Sequence, residues 1–189
     1  MGAAVLHAGE TQVPRGSLAA PAVPAWRLDP IHLPDAAPGS NDVIVRGGEP
    51  AALAPGAYGS LVLEQDAVLA LAAGAYRFAD IDTRSDSHFE IALGATETLT
   101  IDAKGDVTFG RRFRMQPPRG DAAAGARIVI RAGDTLRGDQ DAVLAGTLVA
   151  RKAVILGKHT TLAGAAWSAG LVQVGRDSEV EWLRSVVVD

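Results

Sequence analysis

Two internal repeats share an 18-residue period, and they constrain the fold of this chain more than any other feature. Residues 53–58 (LAPGAY) recur as residues 71–76 (LAAGAY), and residues 146–157 recur in pattern as residues 164–175. A unit this short cannot bury its own apolar face, so it must stack on copies of itself. Glycine at the corners and aliphatic or β-branched residues between them are typical of a β-solenoid.

The composition fits one domain with a continuous core of small layers. Of the 189 residues, 48% are hydrophobic and 21% are charged, but only 5% are aromatic. Such a chain is long enough for a core, and its aliphatic character suits thin layers that stack regularly. The net charge of −4 provides no basic surface for nucleic acid. We therefore expect one folded unit that does not bind nucleic acid.

Two absences narrow the chemistry further. The chain has no cysteine, which excludes disulfides, thiolate zinc sites and a cysteine nucleophile. No run approaches the ~20 apolar residues of a membrane-spanning helix, so we expect no membrane span. The start of the chain lacks the pattern of a signal peptide. The sequence thus fits a cytoplasmic protein, or a bacterial surface or extracellular one if it is a mature fragment.

The prolines divide the chain into an arm and a repeat domain. Six of the ten prolines lie before Asn41, where they oppose helices and central strands. Residues 1–40 are predicted to form an extended proline-rich arm that caps the first coil, and residues 41–189 the β-helix domain. Alternating apolar segments separated by glycine turns predict about eight coils with the period of the repeats. Residues 111–126 break this alternation and are predicted to leave the coil as a loop.

The repeats resemble a known family of parallel β-helices. The run from Gly146 to Gly175 is similar to the repeats of bactofilins and of related bacterial surface domains, and the LAPGAY and LAAGAY motifs look more like the surface branch. The likeness covers roughly residues 41–183. It implies an all-β, single-stranded, right-handed parallel β-helix. It also implies a non-catalytic structural or assembly role in a bacterial envelope, surface or filament, since bactofilins polymerise end to end without nucleotide.

A left-handed β-helix is the competing architecture. Hexapeptide acyltransferases have coils of the same length, and a series of residues at every sixth position fits their pattern: Leu144, Ala150, Leu156, Leu162, Ser168, Val174 and Val180. That alternative predicts a trimer with His159 at a subunit cleft. The hexapeptide phase is not kept through residues 53–130, and parallel crossovers are overwhelmingly right-handed. We therefore favour the right-handed form.

An acidic group suggests a second functional hypothesis. Asp80, Asp82 and Asp86 invite comparison with β-helix enzymes that place carboxylates on one face for cation binding or acid–base chemistry. Alternate residues on a strand share a face, so Asp80 and Asp82 would converge. The alternative is an ordinary strand in which Ile81 points inward and both acids face solvent. A glycan-binding or glycan-cleaving β-helix is therefore the second hypothesis, and the acyltransferase the third.

One basic cluster is a candidate contact surface. It comprises Arg111, Arg112, Phe113, Arg114 and Arg119, which would suit an acidic glycan or a negatively charged protein face. Ordinary solvated loop charges are the alternative. The four histidines have no metal-ligand spacing, and we predict no cofactor, metal or catalytic residue. The expected partner is another protein or a second copy, bound through an open solenoid end.

Overall fold

The computed structural model describes residues 37–117 and 124–181. These residues form eighteen strands and one short 3₁₀ helix, Ala124–Arg127, with no α-helix among them. The predicted arm lies outside the described residues except for residues 37–40. The strands are β1 Val43–Val45, β2 Pro50–Leu53, β3 Gly56–Ala57, β4 Leu61–Leu63, β5 Val68–Ala72, β6 Gly74–Phe78, β7 Ile81–Thr83, β8 His88–Ala92, β9 Leu99–Ala103, β10 Val107–Phe109, β11 Arg114–Gln116, β12 Ile128–Ala132, β13 Thr135–Gly138, β14 Val143–Ala150, β15 Ala153–Leu156, β16 Thr161–Ser168, β17 Leu171–Val174 and β18 Glu179–Glu181.

The first sheet contains one strand from every coil. Its seven parallel strands lie in the order β1-β4-β7-β10-β13-β15-β17, so strands adjacent in the sheet belong to successive coils. Val43 of β1 pairs with Leu61 of β4, and Val154 of β15 pairs with Val172 of β17. Both pairs have the spacing of the sequence repeats. The period of the sequence is therefore the length of chain that separates stacked positions in these coils.

The second sheet consists of two columns that merge. β2, β5, β8 and β11 form one column, and β3, β6, β9 and β12 form the other. Both columns end on β14, because Arg114 pairs with its first residue, Val143, and Val129 pairs with Thr147 further along. β16 then pairs with β14 over its whole length. Each of the first four coils thus contributes three strands and each later coil contributes two, and the predicted all-β parallel solenoid is confirmed at this level.

The middle coils are longer than the repeat period. Ile81 pairs with Val107, and Val107 pairs with Leu136. The residues just before these three show the same spacing. Asp106 follows Asp80 by 26 positions, and Thr135 follows Asp106 by 29. Two insertions, residues 93–98 and residues 117–127, lengthen these coils at the same corner, between the second and third segments. The described residues therefore build seven stacked strands in the first sheet, where the period alone predicts about eight coils for residues 43–189.

The predicted loop at residues 111–126 begins later than expected. Phe113 is fully buried, and residues 114–116 form β11, which pairs with β8. The alternation of exposed and buried residues in β11 is only three residues long and is preceded by arginines, so the sequence did not indicate a strand here. β11 ends at Gln116, and residues 118–123 of the predicted loop lie outside the described residues.

The core is a set of rows that run from coil to coil. One row on the first sheet is buried throughout its middle: Leu61, Ile81, Val107, Leu136 and Val154. The widest coils hold an aromatic cluster, in which Phe113 lies 4.6 Å from Phe109 and 5.1 Å from Phe89 between ring centroids. Each such buried side chain contributes about 1.5–3 kcal/mol. The two coils that carry the insertions thus also carry this aromatic cluster.

The corner between the first and second segments has the same backbone conformation in every coil. Seven stacked residues have positive φ: Gly48, Asp66, Asp86, Arg112, Asp141, His159 and Asp177. Aspartate and histidine tolerate this left-handed region better than most residues. The next residue in each of five coils is buried, as at Ala67 and Thr160. The residue with positive φ therefore lies at the outside of the corner, and in these five coils the side chain of the next residue packs in the core.

The tyrosines of the repeated LAPGAY and LAAGAY motifs close another corner. The Tyr58 hydroxyl donates to the Ala54 carbonyl at 2.6 Å, and the Tyr76 hydroxyl lies 3.2 Å from the equivalent carbonyl of Ala72. The Tyr76 oxygen also accepts the Ala72 N–H at 3.1 Å and lies 3.0 Å from the Leu53 carbonyl of the preceding coil. Burial raises the pKa of this fully buried phenol. The motif thus recurs in the two coils because each tyrosine hydroxyl is hydrogen-bonded to the backbone of the turn that precedes it.

We expect Tyr76→Phe to destabilise the fold by about 1–2 kcal/mol, because it removes the acceptor of the Ala72 N–H and the hydroxyl that lies 3.0 Å from the Leu53 carbonyl. Tyr58→Phe is the matched control, since that tyrosine is only half-buried and makes one hydroxyl bond. Chemical denaturation measures both. Equal losses of stability in the two variants would show that the additional hydrogen bonds of the Tyr76 hydroxyl, to Ala72 and to Leu53 of the preceding coil, do not stabilise the fold.

We expect Gly164→Ala to destabilise by roughly 1–3 kcal/mol or more, because this residue has a φ of +153° and its new Cβ would lie 2.0 Å from the Gly146 carbonyl oxygen. Gly56→Ala is the control, since its Cβ would meet nothing closer than 3.4 Å. The comparison is made by thermal unfolding. Similar melting temperatures for the two variants would contradict the tight coil-to-coil contact at Gly164.

Candidate functional site

One acidic residue and one basic residue singled out in the sequence meet at one corner. Asp86 and Arg112 occupy equivalent positions in adjacent coils and are separated by 26 positions in the chain. The guanidinium of Arg112 donates two hydrogen bonds to the Asp86 carboxylate, from Nε to Oδ1 and from Nη2 to Oδ2, each 2.5 Å long. Such a bidentate pair is the strongest geometry for these groups. Arg112 of the predicted basic cluster is therefore hydrogen-bonded to Asp86 of the predicted acidic group.

The pair shifts the titration of both groups. The hydrogen bonds from Arg112 hold the pKa of Asp86 below its ordinary value, partial desolvation opposes this, and the charges of Arg112, Arg111 and Arg114 add to it. The same hydrogen bonds, with the charge of Asp86, raise the pKa of Arg112. Both groups are therefore ionised at neutral pH. The corner is an electrostatic contact between coils, with no proton available for acid–base chemistry.

The rest of the basic cluster is dispersed. Arg111 lies 3.7 Å from Asp141 of the next coil, and Arg114 projects from β11 beside His88. Phe113 has no exposed surface and belongs to the core, so it is not available to a partner, contrary to the sequence-based expectation. Arg119 lies outside the described residues. Arg111, Arg112 and Arg114 remain exposed at this corner, but two of the three already face a carboxylate.

The acidic residues Asp80, Asp82 and Asp86 occupy three different places. Asp80 lies at the corner before β7, where its Oδ1 accepts the Asp106 N–H of the next coil at 2.9 Å. Asp82 lies on the outer face of β7, with its carboxylate 3.4 Å from Arg84. Ile81 between them is buried. The inward direction of Ile81 confirms the ordinary strand arrangement that the sequence analysis gave as the alternative.

The corner that holds Asp80 uses carboxylates as backbone acceptors in several coils. Asp42 accepts the Ser60 N–H at 2.7 Å, and Asp106 accepts the Thr135 N–H at 2.9 Å. All three aspartates directly precede a strand of the first sheet. Their shared role is to satisfy N–H groups of the next coil where the strand ladder is interrupted. Asp80 is therefore a structural residue of this corner.

The structure contains an ion pair that the sequence did not indicate. Asp102 and Arg131 lie opposite each other on β9 and β12, and the guanidinium donates to the carboxylate at 2.6 and 3.0 Å. Asp102 is buried although it lies on the outer side of its strand, with Arg77 on its other side in the sheet. The pair spans 29 positions of the chain, because the second insertion lengthens this coil.

The remaining candidates for chemistry are metal-binding clusters and the histidines. No group of three or more histidine, aspartate or glutamate side chains within residues 37–117 and 124–181 is arranged to hold a metal ion. His159 is exposed at a corner, where its backbone N–H donates to Arg176 at 3.0 Å. His88 lies 3.8 Å from Glu90. In the same part of the chain, no helix has the length and apolar character needed to cross a membrane.

Among the described residues, four of the seven exposed large hydrophobic side chains lie in the C-terminal coil. Val172, Val174 and Val180 are 43%, 37% and 37% exposed, and Leu171 is 53% exposed. In the preceding coil the equivalent residues of these three valines are at most 1% exposed: Val154, Leu156 and Leu162. Within residues 37–117 and 124–181, the inner layer of the solenoid is therefore partly exposed at this end. We call the surface formed by β17 and β18 the C-terminal end.

The opposite end is different. Val45, which occupies in β1 the row position that Val174 occupies in β17, is only 3% exposed. Val43 of the same strand is half-buried. The two ends of the solenoid are therefore not equivalent, and the C-terminal end is the candidate functional site. Its residues could have been found from the sequence only as the last copy of the repeat.

Comparison with known proteins adds no identity: no protein-family model, curated protein or solved structure matches this chain.

We expect the Asp86–Arg112 pair to stabilise the fold above the ordinary carboxyl pKa of 3.8 and to lose this effect below it. The pKa of Asp86 is lowered in the folded state, so the carboxylate is protonated in the unfolded chain first as the pH falls. The difference in unfolding midpoint between the wild type and Asp86→Asn is therefore constant near neutrality and shrinks as the pH falls through 3.8 and lower.

The control for this measurement is Asp82→Asn. Asp82 lies 3.4 Å from Arg84, and the two side chains are 46% and 66% exposed. Exposed pairs of this kind contribute little, so this substitution is expected to change the midpoint at neutral pH less than Asp86→Asn. A difference for Asp86→Asn that grows as the medium is acidified would contradict the assignment.

Proposed function

We propose that this chain is a non-catalytic structural module that assembles through the C-terminal end of its solenoid. One observation carries the proposal: the inner valines Val172, Val174 and Val180 are exposed where their counterparts in every intermediate coil are buried. An exposed solenoid end combines an apolar layer with unpaired strand edges. Natural proteins rarely leave both open unless another chain covers them.

Simple energetics support an assembly role. Covering three half-exposed valines contributes on the order of 2–3 kcal/mol at about 25 cal/mol per Å² of apolar surface. New backbone hydrogen bonds on two strand edges add about 0.5–1.5 kcal/mol each. The sum is modest against the entropic cost of association. We therefore expect self-association that depends on concentration.

The finer architecture belongs to the same proposal. We infer a right-handed β-helix, because parallel crossovers of this kind are right-handed in nearly all proteins. The resemblance of the repeats to bactofilins and bacterial surface domains supports a place in a bacterial envelope, surface or filament. The stacked corners with positive φ are compatible with a rigid rod, since they repeat one turn in all seven coils.

The glycan and acyltransferase alternatives rank lower. A glycan-cleaving site needs two free carboxylates in one groove, whereas Asp80 accepts a backbone N–H and Asp86 binds Arg112. An acyltransferase would need His159 at a subunit cleft of a trimer.

We expect the weight-average mass of the purified protein to rise with concentration, as measured by multi-angle light scattering. Val172→Lys would place a charge in the inner layer of the exposed coil and is expected to reduce the mass to that of one chain. Val62→Lys, on the outer side of β4, is the matched control and is expected to keep the wild-type behaviour.

Two results would count against this proposal. A wild-type mass that stays at one chain over the whole range would mean that the C-terminal end does not bind a second copy. A fixed trimer that Val172→Lys leaves intact would instead favour the acyltransferase alternative. Thermal unfolding of each variant checks that the fold is retained.

A further inference from the structure

The direction of backbone hydrogen bonds on the last strand of the first sheet is determined by the ladder behind it. The Leu171 N–H donates to the Lys152 carbonyl of the preceding coil at 3.1 Å, and the Gly175 N–H donates to Leu156 at 2.7 Å. In a parallel strand, alternate residues direct their N–H and C=O groups to opposite neighbours. Val172 and Val174 therefore point theirs away from the solenoid, where no further strand lies among the described residues.

The side chains of β17 obey the same alternation. Val172 and Val174 continue the inward rows of Val154 and Leu156, and Gln173 continues the outer row of Ile155. If β17 of a second copy pairs with this strand, residues that face inward in one copy must lie opposite residues that face inward in the other. An antiparallel pair centred on Gln173 does this, because Val172 then lies opposite Val174 of the second copy.

This antiparallel register also suits the hydrogen bonds. Residues directly opposite each other in an antiparallel pair alternate between pairs that exchange two hydrogen bonds and pairs that exchange none. Val172 and Val174 carry the outward-directed groups, so both Val172–Val174 pairs exchange two bonds, and the central Gln173 pair exchanges none. The four residues of β17 carry no charge. A two-fold arrangement therefore creates no like-charge contact along this edge.

The N-terminal end differs in its second-sheet edge. In five later coils the first position of the second segment donates its N–H to the preceding coil, for example His88 to Ala67 at 2.9 Å and Thr161 to Ala142 at 2.9 Å. Pro50 occupies this position in the first coil. Its ring replaces the N–H that would bond a coil added before it. Proline at an edge is a common means of preventing strand addition.

We propose that the chain forms a closed two-fold dimer through its C-terminal end, with β17 antiparallel to β17 of a second copy and Gln173 facing Gln173. The inference rests on the proposed function and makes it specific. Because Pro50 interrupts the second-sheet edge of the N-terminal end, we expect assembly to stop at two chains. A head-to-tail filament would need the Pro50 edge in every contact.

Proline substitutions at the two ends test which edge is used. Val172→Pro removes an N–H that points away from the solenoid, so it costs no hydrogen bond to the preceding coil. Ile44→Pro is the matched control, because Val43 donates to Ser60 of the second coil at 2.8 Å and the Ile44 N–H therefore points away at the other end. Sedimentation equilibrium is expected to give a monomer for Val172→Pro and a dimer for Ile44→Pro. Loss of the dimer in both variants, with folds intact by thermal unfolding, would overturn the two-fold model.

A cysteine probe tests the register directly. The chain has no cysteine, so Gln173→Cys introduces one thiol at the proposed two-fold axis. Opposite residues of a non-hydrogen-bonded pair have Cα atoms about 4.5 Å apart, which lies within the range that a disulfide needs. Under mild oxidation we expect a covalent dimer of Gln173→Cys by intact mass, and little from Ile155→Cys, one coil further from the end.

The outcomes separate this inference from the proposed function. A wild type that grows beyond two chains, or a dimer that Val172→Pro disrupts while Gln173→Cys fails to cross-link, would overturn the two-fold register and leave self-association standing. A wild type that stays monomeric at every concentration would overturn both.

Discussion

The backbone ladder between successive coils is the interaction on which the rest of this structure depends. Each strand segment pairs in register with the equivalent segment of the next coil, so one position in the coil has nearly the same surroundings all along the solenoid. The buried rows, the column of positive φ and the carboxylates that accept N–H groups at one corner all repeat for this reason. Stability therefore comes from neighbours along the axis, as in other repeat proteins.

The same stacking explains how the charged side chains are used. Residues at one corner of adjacent coils lie within reach of each other, which lets Arg112 bind Asp86 and Arg111 approach Asp141. Charges that look like separate clusters in the chain thus become pairs between coils. Within the part of the chain that the structure describes, stacking ends at β1 on one side and at β17 and β18 on the other. An exposed inner layer at the C-terminal end is the direct consequence, and it is why the function proposed for this chain lies there.

Part of the fold was predictable from particular residues. The sequence repeats anticipated the pairing of Val154 with Val172, and strand alternation anticipated the burial of Ile81. The pairs Asp86–Arg112 and Asp102–Arg131 were not predictable, because insertions make the spacing in these coils longer than the repeat period. Phe113 was misplaced for a related reason: three arginines around it resemble a loop, although the corner directs its side chain into the core.

The sequence by itself determined that this chain stacks short parallel strands, since so short a repeat with glycine corners has no other way to cover its apolar face. Only the tertiary structure decided which charges meet, which aromatic residue is buried and which end remains open. Those properties depend on the length of each coil and on the direction of each N–H at the strand edges. Neither is encoded in local periodicity, because a loop inserted at one corner shifts every later residue without changing the pattern of the strands.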